Sequence, residues 1–522
     1  TGPGTNRPIP LADLAAGMDL AFPVDPNAIL RAAPDVAVPM LGMADLVTGR
    51  YQFVQVIDLP GMVHARVVRP PPIRARLDSI SDKIADRLLD EGLHIHRDAS
   101  FLAVSGAGEW AVIKGAQRLA NACTWDVGDG LPEDDIFAQL TTDNAACYVV
   151  KDSTPVDEDI PAPLANPSYK ARYERPFTMH GALAPSAALA IWDGARLRIT
   201  NHSQGIYPLR QSIAESLDLP LDNVIVTHGP GSGCYGHNGA DDAAFEAALI
   251  AMARKNTPVL LKWSRDDEHA WEPYSPASAV DVAAETDARG QIASFSAEAI
   301  GGTFRGRPRP GPDRAGPAKL IANWLRSDAI PAQPAKPNWN RHGGLHRNLD
   351  PIYAIPQTRL IKNLVQDMPH RTSALRCLGA TANVFALESS IDEIARAQET
   401  DSIAFRKAHL TDARAIAVVD RLERAMGERP AQGDMGGRGI AYAQYKNAMT
   451  RVGICVDIEV SEQAEIKLKH AIIVADAGRV VDADGLAAQL EGGFLQGASW
   501  ALYESVTWDR DGITSRDWDS YP

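Results

Sequence analysis

The chain has 522 residues, of which 45% are hydrophobic and 23% are charged, and its formal net charge is −14. This length predicts about three or four domains, and the composition is typical of a globular protein with a large core. The acidic balance and the lack of any basic run argue against a nucleic-acid-binding protein. No stretch approaches the ~20 apolar residues that a membrane-spanning helix needs.

The cysteines are scattered along the chain rather than grouped. They are Cys123, Cys147, Cys234, Cys377 and Cys455. No Cys-x-x-Cys pair occurs, so we expect neither an iron–sulfur cluster nor a structural zinc bound by this chain. The odd count predicts no disulfide framework. The sequence starts without an initiator methionine and stops in a segment that does not resemble a domain end, so we expect both ends to be cuts.

The N-terminal part divides into two predicted regions. Residues 1–40 are rich in Pro, Ala and Asp, which predicts an irregular lead-in. Residues 41–126 alternate strand and helix patterns, with the turn signal Leu59-Pro-Gly61 between the first two strands, which predicts a small α+β domain. The predicted strands are at 51–57, 62–68 and 101–105, and the predicted helices are at 79–91 and 109–122.

Residues 127–172 are acidic and contain several prolines, which predicts an exposed connector. The following region, 173–345, ends in a proline-rich excursion over 301–345, and a loop of that length is commonly functional or wraps around a neighbour. The predicted elements of this region are strands at 188–192, 196–200, 224–226 and 259–264 and helices at 208–217 and 243–253.

Residues 346–522 form the last predicted region, which we expect to be incomplete at its C-terminal end. Its helices are predicted at 380–397, 402–410, 414–425 and 486–503, and its strands at 437–442, 454–460 and 472–475. The whole pattern predicts a mixed α/β (α+β) fold.

A glycine-rich stretch at 227–242, called the glycine loop below, joins a predicted strand to an alanine-rich predicted helix. Its glycines are Gly229, Gly231, Gly233, Gly236 and Gly239. Strand, glycine loop and helix allow backbone N–H groups to approach an anion closely. The spacing matches neither the dinucleotide fingerprint nor a P-loop. The alternative is a tight surface turn with no ligand.

Four histidines near this loop raise the question of a metal site. They are His180, His202, His228 and His237. They form no His-x-x-x-His pair and have no carboxylate at ligand spacing, so we predict no metal ligand in this chain.

Two further residue types suggest ligand contacts. Gln204 follows a predicted strand, where its amide could donate to and accept from a ligand; the alternative is an ordinary residue at a strand end. Arg376 lies in an apolar run and therefore needs an anionic or oxygen partner; the alternative is an internal ion pair. The Gly492-Gly493 pair lies near the start of the last predicted helix, and favours either a phosphate contact or close helix packing.

Taken together, these segments resemble the molybdopterin-binding large subunit of the xanthine dehydrogenase and aldehyde oxidase family. Within that family they are most similar to the branch that contains isoquinoline 1-oxidoreductase and the nicotinate dehydrogenase large subunit. The resemblance implies a hammerhead α/β domain at 41–126, then elongated molybdopterin-binding regions at 173–345 and 346–522. The matching segments, in the family's order, are 47–70, 175–186, 203–210, 231–242, 374–379, 476–480 and 489–493.

The resemblance implies a molybdenum hydroxylase that binds a molybdenum–pterin cytosine dinucleotide. Such an enzyme hydroxylates an N-heteroaromatic compound or an aldehyde with oxygen from water, and passes electrons to [2Fe–2S] clusters on a ferredoxin-like partner subunit. A cytochrome c or flavin subunit is a further implied partner. By the same resemblance Gln204 and Arg376 act in catalysis and contact the cofactor, and Arg376 polarises the substrate. The other implied cofactor contacts are Ser232, Gly233, Cys234, Tyr235, Gly236, Gly379, Gln489, Gly492 and Gly493.

Two segments typical of the family are absent from this chain. The family's general base is a glutamate in a Gly-x-Gly-Glu motif near the C-terminus. The string Gly106-Ala-Gly-Glu109 of this chain lies instead in the hammerhead-like domain, and we interpret it as a chance match. The Gly-Gln-Gly pterin segment is also missing. Either this chain is a fragment, or a partner chain supplies both segments, or the protein is a non-catalytic scaffold paralogue. The substrate and the compartment, bacterial cytoplasm or periplasm, stay open.

Overall fold

The computed structural model describes residues 10–16, 18–19, 23, 25–28, 40–132, 135–427 and 435–522. Strands and helices alternate along the chain and form two large sheets and several smaller ones, which confirms the predicted mixed α/β class. The lead-in predicted at 1–40 lies mostly outside the described residues, and Leu11–Ala15 forms a short helix. No helix in these described ranges is long and apolar enough to cross a membrane.

The first large sheet has seven strands and continues across the domain boundary predicted at residue 126. Its strand Val63–Val68 pairs in parallel with Val259–Lys262 and antiparallel with Phe101–Gly106. Backbone hydrogen bonds therefore join the hammerhead-like region to the region after it. From edge to edge the strands are Val224–His228, Leu197–Asn201, Ala187–Trp192, Val259–Lys262, Val63–Val68, Phe101–Gly106 and His94–Asp98.

The helices Ile206–Ser216 and Ala240–Ala253 pack against this sheet. The second helix is rich in alanine, a strong helix former, and is buried along most of its length. Phe245 is fully buried in the core of this layer, and complete burial of such a side chain contributes about 1.5–3 kcal/mol. Because the helix begins directly after Gly239, its packing anchors one end of the glycine loop.

The second large sheet has six strands and shows that the predicted exposed connector at 127–172 is wrong. Ala145–Lys151 pairs with Gln357–Val365, and Tyr169–Arg175 pairs with Ser278–Thr286. Much of the segment is therefore built into the sheet. From edge to edge the strands are Thr154–Val156, Ala145–Lys151, Gln357–Val365, Ile292–Gly301, Ser278–Thr286 and Tyr169–Arg175.

The prediction of a strand at 51–57 is also wrong, since these residues contain a short 3-10 helix at Val54–Val56. The Val54 N–H donates to the Pro230 carbonyl at 2.9 Å, and a Cβ on Gly229 would lie 2.7 Å from Val54 Cγ2. Contact with the glycine loop thus overrides the local β-propensity.

The C-terminal region contains the helices and strands that the sequence predicts. Its longest helices are Ala380–Ala397, Ser402–His409, Ala413–Met426 and Ala483–Leu502. Its three-stranded sheet consists of Gly436–Gln444, Arg451–Val460 and Ile466–Asp476, in that order. Ala380–Ala397 packs against the second large sheet. Ala483–Leu502, called the final helix below, has no fully buried residue.

Smaller elements complete the described chain. The excursion at 301–345 packs back onto the protein, because Leu320 and Ile321 are buried in the core of the first sheet. The hammerhead-like region adds the helices Asp82–Asp90 and Glu109–Ala120 and the paired strands Arg76–Ile80 and Cys123–Asp126. The other short α-helices are Met43–Val47, Ile136–Gln139, Arg265–Trp271 and Ala322–Leu325, and a hairpin is formed by the strands Trp508–Asp509 and Gly512–Ile513. Further 3-10 helices are Thr142–Asn144, Leu221–Asn223, Pro312–Arg314, Pro317–Lys319, Gly344–His346 and Tyr445–Asn447.

Candidate functional site

The glycine loop is joined by its backbone to residues 374–379, called the arginine loop. Gly236 forms an antiparallel bridge with Leu375, and the His237 N–H donates to the Ala374 carbonyl at 2.7 Å. A Cβ on Gly236 would lie 2.0 Å from that carbonyl oxygen, and the φ angle of Gly236 is +153°. Close approach of the two backbones therefore requires glycine at this position.

A cavity of about 880 Å³ opens beside this junction, within the ~300–1,000 Å³ range of ligand pockets. We call it the junction cavity. Its walls come from the glycine loop, the arginine loop, the final helix and the last residues of the chain. The predicted site residues that line it are Gln204, Tyr235, Gly236, Arg376, Gln489 and Gly492.

Arg376 reaches from the arginine loop to the final helix. Its Nη2 donates to the Gln489 carbonyl at 3.1 Å and to Gln489 Oε1 at 3.3 Å, and its Nη1 donates to Gln496 Oε1 at 3.3 Å. These partners are neutral, and no carboxylate pairs with Arg376 within the described part of the chain. The alternative of an internal ion pair is therefore not seen there. An uncompensated guanidinium in a cavity wall suits an anionic or oxygen-rich ligand.

Gln204 is held by an arginine that the sequence analysis missed. Arg307 Nη2 donates to the Gly236 carbonyl at 2.7 Å and to Gln204 Oε1 at 3.4 Å. The amide oxygen of Gln204 therefore points to Arg307, which leaves its NH₂ group as the end that can donate to a ligand. The feature of the sequence that could have indicated Arg307 is the long proline-rich excursion that contains it, since loops of that length are commonly functional.

The other predicted cofactor contacts lie outside the lining of the junction cavity. They are Ser232, Gly233, Cys234, Gly379 and Gly493. Cys234 Sγ contacts the Gly236 carbonyl at 3.2 Å, and burial raises the pKa of this thiol. The Ser232 carbonyl accepts from the Leu183 N–H at 3.1 Å. These contacts shape the loop that carries the lining residues.

Gly379 and Gly493 are each close to another segment. A Cβ on Gly379 would lie 2.4 Å from the Leu345 carbonyl, where the helix Ala380–Ala397 begins. A Cβ on Gly493 would lie 3.3 Å from Arg376 Nη2. Glycine at both positions allows close packing of the two segments. For Gly493 this was one of the two alternatives given for the Gly492-Gly493 pair.

His180 lies buried in the wall of the junction cavity and bridges two segments. Its Nδ1 is 3.1 Å from Glu272 Oε2, and its Nε2 is 3.0 Å from the Ala374 carbonyl. Burial opposes the charge, but the adjacent Glu272 raises the pKa of His180 above its ordinary value. Burial and the nearby Glu272 also raise the pKa of Glu268 to about 8. An imidazolium here donates to a carboxylate and to the arginine loop together.

The other three histidines have separate environments. His202 Nε2 accepts from the Ala187 N–H at 3.1 Å, and burial lowers the pKa of His202 to about 4. His237 Nε2 is 3.3 Å from Asp241 Oδ2. His228 is exposed at the end of an edge strand. Across the described ranges, no group of three or more His, Cys, Asp or Glu residues could hold a metal ion.

The last residues of the chain complete the junction cavity. The buried Tyr521 donates through its hydroxyl to Glu504 Oε2 at 2.7 Å and accepts from the Met179 N–H at 2.7 Å. Burial raises the pKa of Glu504. Among the described residues of the lining, Glu504 is the one that carries a side-chain carboxylate. The presence of Glu504 in the cavity could not be predicted from the sequence, because no local motif surrounds this residue.

Glu109, in the string that matches Gly-x-Gly-Glu, lies elsewhere. It begins the helix Glu109–Ala120 and forms ion pairs with Arg66, at 2.7 Å, and with Lys262. It does not line the junction cavity.

Comparisons with known proteins agree with this arrangement. Two family models, each described as a molybdopterin cofactor-binding domain, match residues 157–303 and 374–521. These matches include the glycine loop, the arginine loop and the final helix, which meet at the junction cavity. The chain belongs to the molybdopterin cofactor-binding proteins of the xanthine dehydrogenase and aldehyde oxidase family.

Relatives of this molybdopterin-binding chain are longer than it is. A nicotinate dehydrogenase subunit of Pseudomonas putida is 29% identical over 99% of the chain and 43% of that protein. The beta subunit of isoquinoline 1-oxidoreductase from Brevundimonas diminuta is 29% identical over 56% of the chain and 35% of that protein. The chain thus spans less than half the length of either relative.

Solved structures share the fold of this molybdopterin-binding chain. Quinoline 2-oxidoreductase from Pseudomonas putida superposes with a TM-score of 0.71 at 12% identity, covering 94% of this chain and 90% of the other. CO dehydrogenase from Oligotropha carboxidovorans superposes with a TM-score of 0.69 at 10% identity, covering 94% and 89%.

Proposed function

We propose that this chain is part of a molybdenum hydroxylase and binds a molybdenum–pterin cytosine dinucleotide in the junction cavity. The observation that carries the proposal is the convergence of three segments, distant in sequence, on one cavity of ligand size. The names of the two relatives, nicotinate dehydrogenase and isoquinoline 1-oxidoreductase, support an N-heteroaromatic substrate. An aldehyde is the second substrate class, and an aldehyde oxidoreductase subunit of Escherichia coli is also similar.

The chemistry of the cavity fits such a cofactor. Its wall offers the amides of Gln204, Gln489 and Gln496 to a heterocycle and the guanidinium of Arg376 to a phosphate or an oxygen ligand. No atom lies within 4 Å of the place where a Cβ on Gly492 would be. The missing side chain of Gly492 therefore leaves open space on the face of the final helix that lines the cavity.

Several residues hold and orient the bound group in this proposal. When bound, the molybdenum centre supplies the two-electron oxidation that hydroxylates the substrate with oxygen derived from water. Gln204 donates its NH₂ group to an oxygen ligand, and Arg376 holds and polarises an anionic or carbonyl group of the substrate. Tyr235 lines the cavity in a left-handed backbone conformation, with φ of 53°. The implied cradle also includes Ser232, Gly233, Cys234, Gly236, Gly379, Gln489, Gly492 and Gly493.

Among the described residues of the lining, Glu504 is the side-chain carboxylate that can accept a proton in the cavity. Its pKa is raised by burial, which moves it toward the range in which a carboxylate works as a general base. The Tyr521 hydroxyl holds one carboxylate oxygen, Oε2, and so orients the side chain. The other source of the base is a partner chain that carries the Gly-x-Gly-Glu and Gly-Gln-Gly segments.

We also propose that electrons leave through another polypeptide. The chain has no Cys-x-x-Cys pair, so a ferredoxin-like small subunit with [2Fe–2S] clusters is the expected acceptor. A cytochrome c or flavin subunit would accept electrons from it in turn.

The test is elemental and nucleotide analysis of the natively purified complex that contains this chain. About one molybdenum and one cytosine nucleotide per chain are expected, as one cofactor fills one cavity. Absence of both from an intact, folded complex would overturn the proposal and favour the non-catalytic scaffold.

A further inference from the structure

A second cavity, of about 500 Å³, lies behind the junction cavity. We call it the rear cavity. The two linings have no residue in common, although they adjoin along the chain. Gly306 and Thr372 line the rear cavity. Arg307, the residue after Gly306, donates to the Gly236 carbonyl in the lining of the junction cavity. Ala374, two residues after Thr372, lines the junction cavity itself. Ser373 lies fully buried between Thr372 and Ala374 and accepts from the Gly306 N–H at 3.0 Å. The two cavities therefore share one wall.

Part of the wall of the rear cavity is apolar and contains several proline rings. This part includes Pro273, Trp324, Pro331, Pro334, Met368 and Pro369. Trp324 Nε1 donates to the Ala318 carbonyl at 2.8 Å, which fixes the indole ring. This part of the wall suits the apolar body of a small organic molecule better than it suits a hydrated inorganic ion.

Lys319 is a cation of this lining without a counterion. Burial lowers the pKa of Lys319, and the positive charges of Arg371 and Arg305 lower it further. No carboxylate contacts its ammonium group within the described ranges. By contrast, Arg371 in the same lining is 2.7 Å from Asp242 Oδ2. A half-buried ammonium among other cations is unfavourable unless an anion compensates it.

His370 adds a neutral polar group to the lining. Burial lowers the pKa of His370 to about 3, so the ring is uncharged at neutral pH. Its ring centroid lies 5.0 Å from that of Phe177 and 4.6 Å from that of Trp508, and both pairs are edge-on. Its Nε2 is buried with no partner among the described residues. The lining also holds Asp367, whose Oδ1 is 3.1 Å from Arg74 Nη2, and Arg76. Because His370 is neutral and Asp367, Arg74 and Arg371 each have a partner of opposite charge, the charge that the cavity prefers is decided by Lys319 and Arg76, which have no ion-pair partner among the described residues.

We propose that the rear cavity binds a small organic carboxylate, with its carboxylate at Lys319 and its apolar body against Trp324 and Met368. The site is independent of the proposed cofactor, since no residue of its lining belongs to the junction cavity. Its ligand class follows from the combination of a partly apolar wall and an uncompensated cation.

Isothermal titration calorimetry on the natively purified protein tests this site, with benzoate as the probe. Benzamide has the same shape without the charge, and inorganic phosphate has charge without an apolar body. Benzoate is expected to bind at least about tenfold more tightly than either, because benzamide lacks the charge-assisted bond to Lys319 and phosphate lacks an apolar body to contact Trp324 and Met368. Equal affinity for benzamide, or tighter binding of phosphate, would overturn the assigned ligand class.

Variants test whether benzoate binds in the rear cavity. Lys319→Met is expected to weaken benzoate binding about tenfold or more by loss of the charge-assisted bond, while Lys319→Arg retains it. The matched control Lys114→Met removes an exposed lysine from the helix Glu109–Ala120 and leaves affinity unchanged. Gly492→Leu, which fills the junction cavity, also leaves benzoate binding unchanged. Unchanged affinity in Lys319→Met, or loss of binding in Gly492→Leu, would overturn the site.

Discussion

A Cβ on Gly236 would lie 2.0 Å from the carbonyl oxygen of Ala374. These two residues therefore determine how closely the glycine loop approaches the arginine loop, and with it the shape of the junction cavity. The bridge between Gly236 and Leu375 and the bond from the His237 N–H to Ala374 depend on the same contact.

Gly236→Ala is expected to push the two loops apart and to destabilise the protein by about 1–3 kcal/mol, since overpacking and a strained φ both oppose the side chain. Chemical denaturation measures the loss, and molybdenum analysis of the complex measures its effect on the cofactor. Gly439→Ala is the control, because nothing lies within 4 Å of that Cβ. Equal stability of the Gly236→Ala variant and the wild type would show that the contact does not constrain the loops.

Gly492→Leu is expected to fill the junction cavity and to abolish cofactor binding without unfolding the chain. The space around Gly492 is open, so the added side chain displaces ligand rather than protein. Gly497→Leu is a close control, as it lies on the exposed side of the same helix with no atom within 4 Å of its Cβ. Molybdenum content and the unfolding midpoint are measured for both. Normal molybdenum content in Gly492→Leu would place the cofactor elsewhere.

Arg376→Ala is expected to lower kcat/KM about 10- to 150-fold, the effect of losing a charged hydrogen bond of ~1.5–3 kcal/mol. Molybdenum content should remain intact, because several other contacts hold the cofactor. Steady-state kinetics of the complex measure the change. Arg289→Ala, which removes an exposed arginine paired with Asp287, serves as the control. Wild-type activity in Arg376→Ala would rule out the assigned role.

Glu504→Gln is expected to reduce the rate by about 10²–10⁴ if Glu504 is the general base. The amide oxygen of glutamine still accepts from the Tyr521 hydroxyl, so folding should be preserved. The pH–rate profile should also lose its acidic limb, which the exposed control Glu491→Gln keeps. An unchanged rate and profile in Glu504→Gln would mean that a partner chain supplies the base.

The stability that Glu268 contributes is expected to fall as pH rises from about 4.5 to about 8, because burial and Glu272 raise the pKa of Glu268 from 4.5 to about 8. In that window the folded protein holds a proton that the unfolded chain has released. The raised pKa of His180 acts in the same direction, since its contribution is present below the unfolded pKa and is lost as pH rises through the folded one. The buried His202 and His370 act in the opposite direction below the ordinary histidine pKa, since burial lowers their pKa values to about 4 and about 3.

Urea unfolding at several pH values measures this dependence. Relative to Glu268→Gln, the wild type should lose stability as pH rises from about 4.5 to about 8, because the glutamine amide can accept from the Ser186 N–H and donate to Ser186 Oγ at every pH. A difference between the two proteins that does not change with pH would locate the titrating group elsewhere.

The segment predicted to be an exposed connector contains edge strands, whose composition resembles that of a loop. Tyr169–Arg175 and Thr154–Val156 are the two edge strands of the second sheet. Edge strands tolerate exposed charges and proline, and Pro155 lies in one of them. The acidic, proline-containing composition of residues 127–172 therefore favoured the prediction of an exposed connector, although strands of this segment pair within the sheet. The helix Ala380–Ala397 was predicted with its bounds, because its apolar pattern is strong and local.

The sequence by itself determined the family, most helices and strands, the glycine loop and the need of Arg376 for an anionic or oxygen partner. Local patterns and short motifs carry that information. Only the tertiary structure decided that Arg307 supports Gln204 and that Tyr521 holds Glu504 within the junction cavity. It also brought His180 and Glu272 together. These contacts join residues far apart in the chain, so they follow from how the sheets and loops pack and leave no pattern in any local stretch.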